Sequence, residues 1–124
     1  MESQPDLSTD IELDREVYPA SSDAQLHARL MIRNESADPV TLTFPTGQIY
    51  DLEIHDGDGN VVYHWAQGKV FPRMVTKVEI QFEKDYSITA PLTHLQPGRY
   101  VVQAWLTLEG PVRAYSGSAR FELK

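Results

Sequence analysis

The sequence has no cysteine, so no disulfide bond can hold two sheets together or close a loop. Basic residues are also scarce, because 11 Lys and Arg stand against 18 Asp and Glu and leave a formal net charge of −7. Such an acidic chain offers no basic stripe to displace counterions from phosphates, which argues against nucleic-acid binding. No apolar run approaches the roughly 20 residues that a membrane-spanning helix needs. We therefore expect neither a nucleic acid nor a membrane as a partner.

The N-terminal segment, residues 1–10, is polar and acidic and lacks the apolar core of a signal peptide. We expect this segment to be flexible, and residues 11–124 to form a single domain with one hydrophobic core. The missing cysteines suit a reducing cytoplasm, where we expect the protein to be a monomer. Removal of an export signal from a longer precursor is the alternative.

Helical periodicity is absent, whereas apolar and polar residues alternate with a period of two along most of the chain. With turn residues about every 8–12 positions, this pattern predicts about seven to nine strands in an all-β, immunoglobulin-like antiparallel β-sandwich. The first strand is expected at Ile11–Val17, and a short edge strand at Tyr86–Thr89. The alternation predicts the following inward-pointing side chains: Leu26, Ala28, Leu30, Ile32, Val40, Leu42, Phe44, Tyr50, Leu52, Ile54, Val61, Tyr63, Trp65, Val78, Ile80, Phe82, Tyr100, Val102, Ala104, Leu106, Ala119, Phe121 and Leu123.

A turn followed by a tyrosine supports the same fold. Pro97 and Gly98 have the chemistry of a type II turn, because proline fixes φ and glycine accepts a positive φ. Tyr100 follows two residues later, at the start of an alternating segment. This arrangement is typical of the tyrosine corner of immunoglobulin-like sandwiches, whose hydroxyl donates to the backbone just upstream. A later turn is expected at residues 109–111.

The segment Asp56–Asn60 is rich in glycine and aspartate and predicts a hairpin turn. If Asp58–Gly59 is its two-residue centre, Ile54 lies opposite Tyr63. Alternating oxygen ligands also suggest calcium. However, Val61 stands where an EF-hand loop needs glycine, and the distal glutamate is missing, so the hairpin is the favoured interpretation.

Two histidines, His55 and His64, would lie diagonally on the outer face of this hairpin, within reach of one zinc ion. With no cysteine and no third ligand evident, two exposed histidines without a metal are the favoured interpretation. We expect no metal and no other cofactor. Residues 115–119 lack the Gly-x-Ser-x-Gly elbow, and no phosphate-binding glycine loop occurs, so we expect no enzyme activity.

Several segments, taken in order, resemble one known family. Residues 30–36 (LMIRNES) are similar to a strand that ends in Asn before a short turn, and residues 39–51 (PVTLTFPTGQIYD) to the family's most distinctive motif. Residues 58–71 (DGNVVYHWAQGKVF) and residues 95–100 (LQPGRY) continue the match. Residues 26–106 therefore resemble the intracellular proteinase inhibitor (BsuPI) family of bacterial immunoglobulin-like domains.

The resemblance implies an inhibitor or regulator of an intracellular subtilisin-like serine protease, which binds its target through loops at one end of the sandwich. A non-inhibitory immunoglobulin-like interaction or accessory module, of envelope or adhesion type, is the alternative. The first candidate loop is residues 66–74, because an inhibitory loop must be ordered before it binds. Its proposed contact residues are Gly68, Lys69, Val70, Phe71, Pro72, Arg73 and Met74. Alternatively, Phe71 plugs the end of the sandwich, and Lys69 and Arg73 are solvated.

The second candidate segment is residues 45–48. Gly47 is expected at a positive φ, and Gln48 could form a hydrogen bond across an interface. Alternatively, Gln48 bonds to the backbone of its own loop. Trp65 is predicted as the core aromatic residue. Trp105 lies on the other face of its strand, so it is either covered by another segment, for which the N-terminal strand is available, or part of an exposed apolar patch.

Overall fold

The computed structural model describes residues 7–21, 23–108 and 115–124, which form ten β-strands and no helix. In chain order the strands are β1 (Leu7–Leu13), β2 (Val17–Tyr18), β3 (Gln25–Asn34), β4 (Val40–Phe44), β5 (Tyr50–His55), β6 (Val61–His64), β7 (Thr76–Ile80), β8 (Glu83–Pro91), β9 (Gly98–Leu106) and β10 (Gly117–Leu123). The predicted all-β class is confirmed. No helix in the described part of the chain is long or apolar enough to cross a membrane.

The strands form three sheets, with the orders β1-β3-β8, β2-β10-β9-β5-β6 and β4-β7. All pairs are antiparallel except β2 with β10, which is parallel. Arg33 of β3 pairs with Glu83 of β8, and Val40 of β4 pairs with Ile80 of β7. The pairs β3–β8 and β4–β7 are therefore successive parts of one long, bent ribbon.

The inward faces of the two larger sheets share one hydrophobic core. Leu26 and Leu30 of β3 and Leu52 and Val102 of the facing sheet are fully buried in it. Each such side chain contributes about 1.5–3 kcal/mol to the stability of the fold. The inward positions predicted on β3 and β9 are all buried. With no disulfide available, this packing holds the sheets together.

Asn34 fixes the bend in the ribbon. Its side-chain amide donates to the backbone oxygens of Asp38 at 2.9 Å, Ile80 at 3.0 Å and Gln81 at 3.2 Å. Its backbone N–H donates to the carbonyl of Phe82 at 2.7 Å. Because β7 ends at Ile80 and the chain bends there, Phe82 leaves the inward register and is 72% exposed. The prediction that Phe82 points into the core is wrong.

The tyrosine corner is present. The Tyr100 hydroxyl donates to the Gln96 carbonyl at 2.5 Å, and its ring stacks on Phe121 with centroids 5.4 Å apart. The predicted type II turn is wrong, because Gly98 has a φ of 159° and is the first residue of β9. A type II turn needs a φ of about +80° at this position. The chain turns earlier, at residues 92–95, where the last N–H donates to the first carbonyl at 3.1 Å.

The turn between β5 and β6 is one residue longer than predicted. The Asp56 carbonyl accepts a hydrogen bond from the Gly59 N–H at 3.1 Å, and the Asp56 N–H donates to the Asn60 carbonyl at 2.9 Å. Gly59 has a φ of 85°, whereas Asp58 is not among the residues with positive φ, so the two-residue turn in which both have positive φ does not form. Three residues, 57–59, therefore lie between Asp56 and Asn60, the pair that closes the turn.

This longer turn changes the face on which Val61 lies. His55 pairs with Val61, and a β-bulge at the next position restores the predicted pairing of Ile54 with Tyr63. Because paired residues share a face, Val61 lies outside with His55 and is 50% exposed. The predicted inward position of Val61 is wrong, while the predicted register further along the hairpin is confirmed.

The strand bounds near the N-terminus also differ from the prediction. Strand β1 begins at Leu7 and ends at Leu13, and its residues 7–10 pair with the end of β3, so they belong to the sheet. Only half of residues 7–10 pack inward and several are polar, so the alternation of apolar and polar residues does not reveal this part of the strand. The predicted edge strand Tyr86–Thr89 is part of the longer β8. Residues 1–6 and the turn expected at 109–111 lie outside the described residues.

Candidate functional site

Both predicted candidate segments lie in loops that meet at one end of the fold: loop 45–49, between β4 and β5, and loop 65–75, between β6 and β7. The Gly47 N–H donates to the Pro72 carbonyl at 2.8 Å. A Cβ atom added at Gly47 would lie 2.8 Å from Pro72 Cδ, closer than real Cβ contacts. Gly47 is not among the residues with positive φ, so that prediction is wrong. Glycine is needed here because the two loops approach so closely.

Aromatic side chains anchor loop 65–75 to both sheets. The Trp65 ring lies 4.9 Å from Tyr50 and 5.9 Å from Phe71, centroid to centroid, and Tyr50 lies 5.3 Å from Tyr86 of β8. Burial raises the pKa of the Tyr50 and Tyr86 phenols, and for Tyr86 the neighbouring Tyr50 adds to the effect. These neutral phenols act as packing groups. We call the set Phe71, Trp65, Tyr50 and Tyr86 the aromatic row.

Lys69 is also attached to Trp65. Its Nζ lies 4.5 Å from the centroid of the indole ring and donates to the Trp65 carbonyl at 3.0 Å. A cation over an aromatic face contributes about 0.5–1 kcal/mol at an exposed site. The turn that precedes it is closed by the Lys69 N–H, which donates to the Ala66 carbonyl at 3.1 Å, with Gly68 at a φ of 84°. Lys69 is thus held in place although its side chain is exposed.

The loop presents apolar side chains to solvent, with Val70 between the anchored Lys69 and Phe71, and Met74 and Val75 between Pro72 and β7. Val70 is 96% exposed, and Met74 and Val75 are each 62% exposed. Phe71 is half-buried on Trp65, which agrees with the alternative that it packs at the end of the sandwich. Arg73 is exposed, as that alternative also expected.

Gln48 is used within its own loop. Its side-chain amide donates to the Tyr50 carbonyl at 3.1 Å, and its backbone N–H donates to Thr46 Oγ1 at 3.0 Å. Its carbonyl accepts from Thr107 Oγ1 at 2.8 Å, which joins the loop to the end of β9. The geometry therefore agrees with the alternative that Gln48 bonds its own loop.

A buried carboxylate, which the sequence analysis did not single out, holds the base of loop 65–75. Asp51 is 5% exposed, and its Oδ1 accepts from the Leu52 N–H at 2.8 Å and the Ala66 N–H at 3.1 Å. Its Oδ2 lies 2.6 Å from His64 Nε2. The alternation placed Asp51 on a solvent face. Asp51 pairs across the sheet with Trp105, and this bulky residue on the same face was the available signal that the face is covered.

Trp105 is covered rather than part of an exposed patch. It is 7% exposed, and the His64 ring stacks on it with centroids 6.5 Å apart. The N-terminal strand β1 pairs with β3 in the other sheet. The covered alternative is confirmed by the burial of Trp105, but the cover includes the stacked His64, whereas the N-terminal strand expected in that role pairs in the other sheet.

The two metal alternatives find no support in the geometry. His55 Nε2 lies 3.9 Å from Glu53 Oε1, while His64 is bonded to Asp51, so each ring is half-buried beside its own carboxylate rather than exposed. No group of three or more His, Cys, Asp or Glu residues that could hold a metal occurs within ranges 7–21, 23–108 and 115–124.

The hairpin carboxylate Asp56 is engaged by the turn itself. Its Oδ1 accepts from the backbone N–H groups of Asn60 and Asp58, each at 2.9 Å. These bonds, the one from Asn60 foremost, hold the pKa of Asp56 below its ordinary value. A hairpin turn accounts for the residues that suggested calcium.

Comparison with known proteins finds solved structures with a similar fold and one protein family with a similar sequence. The fold is similar to a CARDB domain from Pyrococcus furiosus (TM-score 0.50, 13% identity, covering 97% of this chain and 89% of that one). It is also similar to part of a mutant β-glucosidase from Listeria innocua (TM-score 0.54, 15% identity, covering 99% of this chain and 16% of that one). A third similar structure is part of the sporulation control protein Spo0M from Bacillus subtilis (TM-score 0.52, 14% identity, covering 94% of this chain and 48% of that one). At these identities the likeness shows the immunoglobulin-like fold alone. No curated protein matches the chain. The sequence model of the intracellular proteinase inhibitor family, BsuPI, matches residues 11–110.

Proposed function

Because the chain belongs to the intracellular proteinase inhibitor (BsuPI) family, we propose that it inhibits a cytoplasmic, subtilisin-like serine protease by placing loop 65–75 in the protease cleft. The protein acts as a monomeric binding module and carries out no reaction of its own. The observation that supports this use of the loop is that contacts fix it on both sides of the exposed Val70, which we call bracing.

The bracing matters because binding normally loses entropy. Ordering one backbone residue costs about 1–2 kcal/mol, and ordering a flexible side chain costs about 0.5–1.5 kcal/mol. Lys69 and Phe71 are already fixed on Trp65, and Pro72 is fixed on Gly47. A protease that accepts this segment therefore avoids most of that loss.

The charge of the loop differs from that of the rest of the chain. Loop 65–75 contains Lys69 and Arg73 and no acidic residue, while the whole chain has a formal net charge of −7. Complementary charges steer association and fix orientation. The loop therefore suits a protease whose substrate cleft has an acidic rim.

A titration of proteases with the purified protein tests the proposal. The panel contains several subtilisin-type serine proteases and, as controls, a cysteine protease and a metalloprotease. We expect inhibition of at least one subtilisin-type protease with an inhibition constant below about 1 µM, equivalent to about −8 kcal/mol. A folded protein that leaves every serine protease active would overturn the proposal and favour the accessory-module alternative.

A further inference from the structure

We infer that Val70 is the specificity-determining residue of this inhibitor, and that its side chain enters an apolar pocket in the substrate cleft of the target. The target is therefore a protease that accepts aliphatic side chains of about the size of valine. This inference rests on the proposed function above and names the partner class for the same loop.

The side chain of Val70 is almost fully exposed to solvent. At 96%, its side chain contributes almost nothing to the core, although it sits within a loop whose neighbours are packed. Scattered exposed apolar residues are common, but Val70 lies between two anchored residues, Lys69 and Phe71, and its side chain is available to fill a partner's pocket.

The neighbours of Val70 are fixed in position. Lys69 lies against Trp65 on one side of Val70, and Phe71 packs on the same indole ring on the other side. Pro72 follows, with its carbonyl bonded to Gly47. These contacts hold the backbone on both sides of Val70, so the direction of its side chain is set before a partner arrives.

The backbone of this segment is also available to a partner. Within the described residues, no hydrogen bond uses the N–H or carbonyl of Val70 or Phe71. Peptides bound in an extended form pair such groups with the partner's backbone, while pockets receive alternate side chains. Pro72 lacks an N–H, but its carbonyl already faces Gly47 within the protein. The backbone groups that remain for a protease are therefore the N–H and carbonyl groups of Val70 and Phe71.

The test compares Val70→Asp with a matched control, Val61→Asp, in the same inhibition assay. Val61 is also an exposed valine, but it lies at the far end of β6, on the outer face of the hairpin. We expect Val70→Asp to raise the inhibition constant by roughly 100-fold, since it places a charge in an apolar pocket, and Val61→Asp to change it by less than about threefold. Equal thermal unfolding midpoints for Val70→Asp and the wild type would exclude misfolding as the cause.

A size change tests specificity directly. Val70→Leu is measured against two subtilisin-type proteases that the wild type inhibits, one with a deep apolar pocket and one with a shallow pocket. We expect the ratio of the two inhibition constants to shift by about tenfold or more towards the deep pocket. If the wild type inhibits a protease but Val70→Asp behaves like Val61→Asp, or the ratio does not move, the role of Val70 is refuted and the proposed function survives. If the wild type inhibits none, the proposed function itself fails.

Discussion

Replacing Gly47 by alanine tests whether contact between the two loops sets the inhibitory conformation. The added Cβ would lie 2.8 Å from Pro72 Cδ and 3.2 Å from its Cγ, and the proline ring is rigid. Keeping both loops in place would overpack this contact, at about 1–3 kcal/mol. Releasing the Pro72 end of loop 65–75 from Gly47 would break one hydrogen bond, at about 0.5–1.5 kcal/mol. Because Pro72 is exposed and this loss is smaller than the cost of overpacking, we expect that end of the loop to be released, while Lys69 and Phe71 stay on Trp65.

The expected effects on stability and on inhibition therefore differ. The free energy of unfolding should fall by about 1 kcal/mol, the net value of one hydrogen bond, which lowers the melting temperature by about 4 °C. Inhibition should weaken more, because a protease must then order at least one further loop residue at about 1–2 kcal/mol. This corresponds to an inhibition constant about 5- to 30-fold higher than that of the wild type.

Urea unfolding and inhibition titrations of the same preparations provide the two measurements. Gly57→Ala is the control, because a Cβ there meets only the Arg99 carbonyl oxygen at 4.0 Å. This control should leave both quantities within error of the wild type. A Gly47→Ala protein that loses about 3 kcal/mol of stability yet inhibits normally would refute the reasoning, since the loop would then have stayed in place against the strain.

Three further outcomes can be measured without a protease. Tyr100→Phe should lower the free energy of unfolding in urea by about 1 kcal/mol, since only the bond to the exposed Gln96 is lost. Asn34→Ala should lower the free energy of unfolding by about 1–3 kcal/mol, because it leaves the partly buried Ile80 carbonyl at the ribbon bend without its side-chain donor, whereas a smaller loss would show that water replaces the amide. Burial disfavours the Asp14 carboxylate, but hydrogen bonds from Tyr18 and the backbone outweigh this and lower its pKa. The Asp14 carboxylate therefore stabilises the fold fully above its pKa in the unfolded chain, and this stabilisation is lost as the pH falls through its lower pKa in the folded protein. Asp14→Asn should therefore make the free energy of unfolding less dependent on pH below about pH 4. An unchanged pH dependence there would contradict this.

Much of the fold could be predicted because alternation and turn chemistry are local. Every inward residue predicted on β3 and β9 is buried, and the Tyr100 hydroxyl bonds upstream as the corner motif requires. The errors arise where local rules end. Val61 changed faces because the turn has one more residue than the sequence indicated, and Phe82 because the ribbon bends at Asn34.

The site was predictable only in part. The sequence pointed to both loops, but the reason for Gly47 could not be read from it, since Pro72 is distant along the chain and close only in space. Asp51 was missed because an acidic residue on an alternating strand ordinarily faces water. Its burial depends on pairing with Trp105 across the sheet, which no local pattern records.

The aromatic row has a practical consequence for observing this loop. The chain has two tryptophans, and Trp105 is 7% exposed in the sheet while Trp65 contacts both Phe71 and Lys69 of the loop. Replacing Trp105 with phenylalanine would leave Trp65, at the base of the loop, as the single tryptophan, whose emission can be excited selectively over that of the six tyrosines. Its emission would then follow the opening, docking and release of the loop in real time, without any attached dye.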